Sequence, residues 1–318
     1  METGTLLKRG FEIALAVALI ASGVVSFAAL NRDYPNADLL VSSEWLRARL
    51  SDPNVRIVDA RGPLKYRAGH IPGAVNISDR DVHTWTRGVA RLVAPEEQIE
   101  AVFGRVGIDR DTTVVVYSDP DNLWAARLFW ILELYGHPTV KILNGGIGAW
   151  QQAGGELTET VSEVSERTFD AKPVSDRIIT AAWLTDHLED PGLRIVDARP
   201  MAEYLGQSSR ARRDGRIPNA ASRPWSEVLD RDGHLARSLD LQIRFEDADV
   251  DRNHTVVIYS QTGVEAAVDY LALRLLGYPD VRLYDGSWAE WGNDTQLPIA
   301  VAVSGSGGQP GGARSTCW

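Results

Sequence analysis

A hydroxyl and a carboxylate stand at the two ends of SQTGVE, Ser260 to Glu265. The hexapeptide follows the β-branched run TVVIY and precedes AAVDYLALRLLG, which carries a helical pattern. Amides that converge between a strand end and a helix start make a donor cluster for an anion, and the helix dipole reinforces it. Here Gln261, Thr262, Gly263, Val264 and Glu265 supply those amides. Ser260, at the head, becomes a nucleophile only beside a positioned base. The nearest histidine in the sequence, His254, lies across the strand, and the G-x-S-x-G pattern of a serine hydrolase is absent. Glu265 favours the helix start but opposes an anion in the cradle.

Other charged residues bear on the same place. Asp197 and Arg199 end the run RIVDAR at the carboxyl end of a strand, where sites in α/β sheets gather. They read as a pair that holds the loop, or as a plain strand-end ion pair. RARRDGR brings Arg210, Arg212, Arg213 and Arg216 close in sequence. This stretch either attracts an anion or is a solvated turn. Trp288 and Trp291 follow the last strand and are candidates to line a pocket, whereas Trp45 and Trp183 read as core. The 6 histidines are scattered and the single cysteine, Cys317, is next to the last residue, so neither an intramolecular disulfide nor a metal site is expected. A net charge of −10 argues against nucleic acid or an anionic membrane surface as the main partner.

The elements that position these residues come in two copies. SSEWLRARLSDPNVRIVDARGPLKY at Ser42 matches TAAWLTDHLEDPGLRIVDARPMAEY at Thr180, with an offset of 138 residues. AGHIPGAV, TTVVVYS and NGGIGAW of the first half return as DGRIPNAA, HTVVIYS and DGSWAEW, in the same order. Short β-branched runs alternate with helical patterns, including APEEQIEAVFGRVG, NLWAARLFWILELYG and GVEAAVDYLALRLLGY. That alternation predicts an α/β fold: two domains, each a parallel sheet with helices on both faces. Expected boundaries are a first domain over 36–157, a polar linker over 158–177, a second domain over 178–300 and a Gly-rich flexible tail over 301–318. Residues 1–35 read as an N-terminal hydrophobic helix. Lys8 and Arg9 precede an uncharged run of 18 residues, Ile13 to Leu30. The run suffices for a membrane anchor over residues 11–30, and Ser26-Phe27-Ala28 also offers a signal-peptide cleavage site. Either way the domains are expected outside the cytoplasm.

RIVDAR, GHIPGA, VVIYSQTGVEAA and YDGSWAEWGN together resemble a tandem rhodanese-like protein of the thiosulfate and 3-mercaptopyruvate sulfurtransferase group, over about residues 38–298. The resemblance implies a non-catalytic first copy and an active loop of the form C-x-x-G-x-R/T in the second. There a cysteine takes sulfane sulfur as a persulfide and passes it to a thiophilic acceptor, without a cofactor. It also implies catalytic positions at Ser260, Asp197 and Arg199, to which the reading of the residues themselves adds a cradle of Gln261 to Glu265 and pocket lining by Arg213, Arg216 and Trp288. This chain departs from the pattern: Ser260 stands at the cysteine's position and Glu265 at that of Arg or Thr. A serine hydroxyl does not reach the thiolate-like ionisation that persulfide chemistry requires. The expectation is therefore a degenerate sulfurtransferase, anchored or exported, that handles a small anionic sulfur compound or a thiol if it is functional. The alternatives are an active sulfurtransferase, working through Cys317 or through a cysteine natural to position 260, and a module that binds an anion or a protein.

Overall fold

β-branched runs with polar ends become buried parallel strands, because a sheet covered on both faces tolerates no polar alternation. The computed structural model describes residues 34–301. The strands are β1 (Leu40–Val41), β2 (Val55–Asp59), β3 (Val75–Asn76), β4 (His83–Thr86), β5 (Val89–Val93), β6 (Thr113–Tyr117), β7 (Val140–Leu143), β8 (Ile178–Ile179), β9 (Leu193–Asp197), β10 (Ala220–Ser222), β11 (Thr255–Tyr259) and β12 (Val281–Tyr284). The first sheet has the order β1-β7-β6-β2-β3 and the second the equivalent order β8-β12-β11-β9-β10, all parallel. The repeat read from the sequence is thus two like sheets. β6 and β11 are the central strands, so Ser118 and Ser260 both leave the carboxyl end of a sheet centre.

Two helices meet between the sheets. Leu123–Leu134 and Ala266–Leu275 are buried almost all round, as their apolar composition requires. Gly136 and Gly277 follow them at φ +76° and +77°, the left-handed conformation that ends a helix. Their packing joins the copies in one apolar core that contains Phe129, Ile131, Tyr270 and Leu271. The contacts pair equivalent positions. Phe129 meets Tyr270 with ring centroids 6.5 Å apart, and Glu133 accepts from Arg274 at 2.9 Å.

Three features were not legible beforehand. β4 and β5 form an antiparallel hairpin in the first copy, with Trp85 exposed. Trp45 and Trp183 are half-buried at the rims of smaller apolar clusters, each facing an arginine, rather than inside the core. The segment around 158–174 has no regular element but lies fastened to the first copy. Phe169 packs edge-on against Phe103 at 5.0 Å, and Arg167 N donates to Gly104 O at 2.9 Å. The apolar run Ile13–Leu30 and Cys317 lie outside the described residues. Among the described residues no helix is long and apolar enough to cross a membrane.

Candidate anion-binding site

The site begins at a buried clamp. Arg199 Nε and Nη2 donate to the Asp197 carboxylate at 2.9 and 2.6 Å, and Nη2 also reaches Gly215 O at 2.8 Å. Tyr259 Oη donates to Asp197 and accepts from Ile217 N at 3.2 Å. Burial, and then the Asp197 charge, push the Tyr259 phenol well up, so it keeps its proton. Burial also opposes the charge of Arg199, but Asp197 outweighs it and the guanidinium pKa rises. The first copy repeats the clamp. Arg61 donates to Asp59 at 2.9 and 2.6 Å and to Gly69 O at 2.7 Å, and Tyr117 Oη donates to Asp59 at 2.8 Å. A device present in both copies belongs to the fold. Two features set the second apart: Arg199 lies over the Trp288 ring at 4.3 Å, and its Nη1, fully buried, has no acceptor.

The loop rests on the turn after β12. Ser260 N donates to Ser287 Oγ at 3.1 Å, Trp288 N to Ser260 O at 2.9 Å and Ala289 N to Gln261 O at 2.9 Å. Gly263 has φ +73°, which turns the chain toward the helix. In the first copy the corresponding loop is sealed by its own side chains. Ser118 N donates to Asn122 Oδ1 at 3.3 Å, Leu123 N to Asp121 Oδ1 at 3.2 Å and Ala125 N to Ser118 Oγ at 3.3 Å. In the second copy, no acceptor among the described residues takes the amides of Gln261, Thr262, Gly263, Val264 or Glu265. Unsatisfied donors grouped before a helix are the makings of an anion site. Gln261 Oε1 is buried without a partner as well.

The head of this cradle is closed. Ser260 is fully buried, and its hydroxyl donates to Glu265 Oε2 at 2.9 Å. Arg210 Nη1 lies 3.5 Å from Glu265 Oε1, while its Nε donates to Glu203 at 3.0 Å. A carboxylate of the chain itself therefore covers the position from which the loop would react.

The structure brings together Ser260, Gln261, Gly263, Val264 and Glu265, with Asp197, Arg199 and Trp288 beneath them; Thr262 is half-buried at the loop surface. Trp288 is fully buried and supports Arg199. Arg213 is engaged elsewhere, donating to the carbonyls of Gly292, Trp291, Asp294 and Leu297. Arg216 lies over the Tyr204 ring at 4.4 Å and its backbone pairs with Ala300. The Arg213 guanidinium and the Arg216 backbone fasten the end of the second copy, while the Arg216 guanidinium stays on Tyr204. Sequence reasoning did not single out Glu203 or Ser287. The signal for Ser287 was its alignment with Gly146: both have positive φ, +52° and +56°. A cavity of about 410 Å³ opens beside the first-copy loop, where Lys65 bridges to Asp119 at 2.7 Å.

Comparison with known proteins places the two copies in a family. A model described as the rhodanese-like domain covers residues 42–153 and 180–294. The sulfur carrier protein TtuD of Thermus thermophilus is 34% identical over 84% of this chain and 98% of its own length. A thiosulfate sulfurtransferase of Corynebacterium glutamicum is 34% identical over 84% of this chain and 92% of its own length. A 3-mercaptopyruvate sulfurtransferase of Escherichia coli is 32% identical over 81% of this chain and 96% of its own. The crystal structure of SseA from Escherichia coli superposes with a TM-score of 0.72 at 30% identity, covering 79% of this chain and 98% of that one. The chain belongs to the rhodanese family, with two tandem domains, and is similar to thiosulfate and 3-mercaptopyruvate sulfurtransferases.

Proposed function

We propose that the second-copy loop binds a small anion, of the class of thiosulfate or a thiol carboxylate, without transferring its sulfur. The observation that carries this reading is the Ser260 hydroxyl, buried and donated to Glu265, at the head of otherwise unpartnered amides. Sulfur transfer in this family needs a thiolate that attacks the donor's outer sulfur, holds it as a persulfide and releases it to an acceptor. An alkoxide is not available at neutral pH, and the amides that stabilise a thiolate do not bring a hydroxyl into range. Glu265 adds a second obstacle, because its carboxylate holds the Ser260 hydroxyl and occupies the place where the donor's outer sulfur would be attacked.

Thiocyanate formation from thiosulfate and cyanide tests this in four proteins: the parent, Ser260→Cys, Glu265→Arg and the double variant. The parent is expected at background, since losing the nucleophile typically costs several orders of magnitude. Ser260→Cys is expected to restore some turnover, and the double variant more. Turnover by the parent that survives Cys317→Ala would overturn the reading and favour an active sulfurtransferase.

The basic flank and apolar run of residues 1–30 support a second proposal, that the domains are held outside the cytoplasm by a membrane anchor. Membrane fractions washed with high salt should retain the chain. Recovery as a soluble protein starting near Ala29 would show a cleaved signal instead.

A further inference from the structure

Arg127 is a charged residue among the buried apolar side chains of the first-copy helix Leu123–Leu134, and it is 1% exposed. Its donors reach across the domain boundary. Nη2 donates to Asp285 Oδ1 at 2.5 Å, and Nη1 to Gly263 O, in the loop, at 3.4 Å. The other contacts hold the guanidinium in place: Nε donates to His83 Nε2 at 2.9 Å, Nη2 to Arg91 O at 3.0 Å, and the Trp130 ring lies at 4.4 Å. Asp285 Oδ2 accepts from Val93 N, of the first-copy hairpin, at 2.8 Å. Asp285 also begins the turn whose Ser287 and Trp288 hold Ser260. A side chain at Gly263 would come within 3.1 Å of both Arg127 Nη1 and Asp285 Oδ1.

We infer that Arg127 is a positioning residue for the second-copy loop: the first domain, through this one guanidinium, sets the carbonyl of Gly263 and the seat of Ser260. This rests on the reading of that loop as an anion cradle. With the Gly263 carbonyl drawn toward Arg127, the loop's amides are left to turn toward the cradle. His83 suits the role because burial first, and then Arg127, lower its pKa to about 3. It stays neutral and accepts at Nε2, while Nδ1 donates to Asp79 O at 2.8 Å. Glu133 offers the contrast. It also makes a charged contact between the copies, to Arg274 and Tyr270, but touches neither the loop nor the turn.

The test compares Arg127→Met, Arg127→Gln and Glu133→Gln in the full chain. Hydrogen exchange reads the amides of Ser260, Trp288 and Ala289, which bond across the seat. Both Arg127 variants should speed their exchange by about tenfold or more, and Glu133→Gln should not, although it lowers the melting temperature. Arg127→Gln keeps a polar end but lacks the charge and the reach of the guanidinium to Gly263 and Asp285, so it reports even if Arg127→Met does not fold. In a Ser260→Cys, Cys317→Ala background, the thiolate absorbance should titrate on the order of one pH unit higher without Arg127. Unchanged exchange in the Arg127 variants, or equal acceleration in Glu133→Gln, overturns the inference. An ordinary thiol titration in Ser260→Cys with Arg127 present, alongside accelerated exchange without it, defeats the cradle reading and leaves the positioning role standing.

Discussion

Ser260 and Asp269 show how burial decides what a polar side chain can do. Ser260 has an acceptor in Glu265, so its hydroxyl is satisfied and held. Asp269, on the helix that follows the loop, is fully buried and neither carboxyl oxygen has a partner. Burial, against the pull of Arg244 and Arg223, raises its pKa well above the ordinary carboxylate value of 3.8. Folding then takes up a proton between pH 3.8 and the raised value in the fold, so stability falls as pH rises through that window. Asp269→Asn removes the proton uptake. The variant should be more stable than the parent by roughly 1–3 kcal/mol at neutral pH, and the difference should shrink toward acid pH. Denaturant unfolding at several pH values checks this; a difference that does not vary with pH would mean Asp269 is ionised in the fold.

The turn between β12 and the Ser287–Trp291 helix illustrates an element held in an unfavourable conformation by what it supports. Ser287 has φ +52°, a region costly for a residue with a side chain. Its hydroxyl accepts from Ser260 N and donates to Tyr284 O at 2.8 Å, so the strain is offset by two buried bonds. Ser287→Ala keeps the strain and loses both bonds, whereas Ser287→Gly relieves the strain and loses the same bonds. Unfolding measurements should therefore find both variants destabilised, the alanine by about 1 kcal/mol more than the glycine. An alanine variant at least as stable as the glycine would show that the backbone is not strained here. The helices 123–134 and 266–275 are buried almost all round because each covers its own sheet and its counterpart in the other copy.

At the scale of the molecule, the two domains share a core. Val58 and Val114 of the first copy belong to the same apolar cluster as Val256 and Leu283 of the second. Arg127–Asp285 and Arg274–Glu133 span the boundary as largely buried ion pairs. Breaking one partner of such a pair leaves the other charge poorly solvated. Calorimetry should accordingly show a single cooperative transition for the parent, with equal calorimetric and van't Hoff enthalpies. Glu133→Ala should lower its midpoint by roughly 2–8 °C. Two resolved transitions in the parent would mean that the shared core does not couple the copies.

Much of this architecture was legible in the order of residues, since unbroken β-branched runs, a helical period of 3.6 and a repeated string of motifs depend only on neighbours along the chain. The offset of 138 residues disclosed two like α/β units, and Gly136 and Gly277 marked helix ends. The strand–loop–helix order around SQTGVE was legible from a β-branched run meeting a helical pattern. What the fold alone decided were relations between residues far apart in sequence. Arg213 and Arg216 looked like pocket residues because they are basic and close to Arg199 in the chain, yet they bind the carbonyls and ring of their own domain's periphery. Arg127 and Asp285, 158 positions apart, meet only because the two central helices pack on each other. The carboxylate that closes over Ser260 belongs to a residue whose sequence position showed repulsion of an anion. Its hydrogen bond to the hydroxyl depended on the curvature of the loop, and that curvature is set by the β12 turn beneath it.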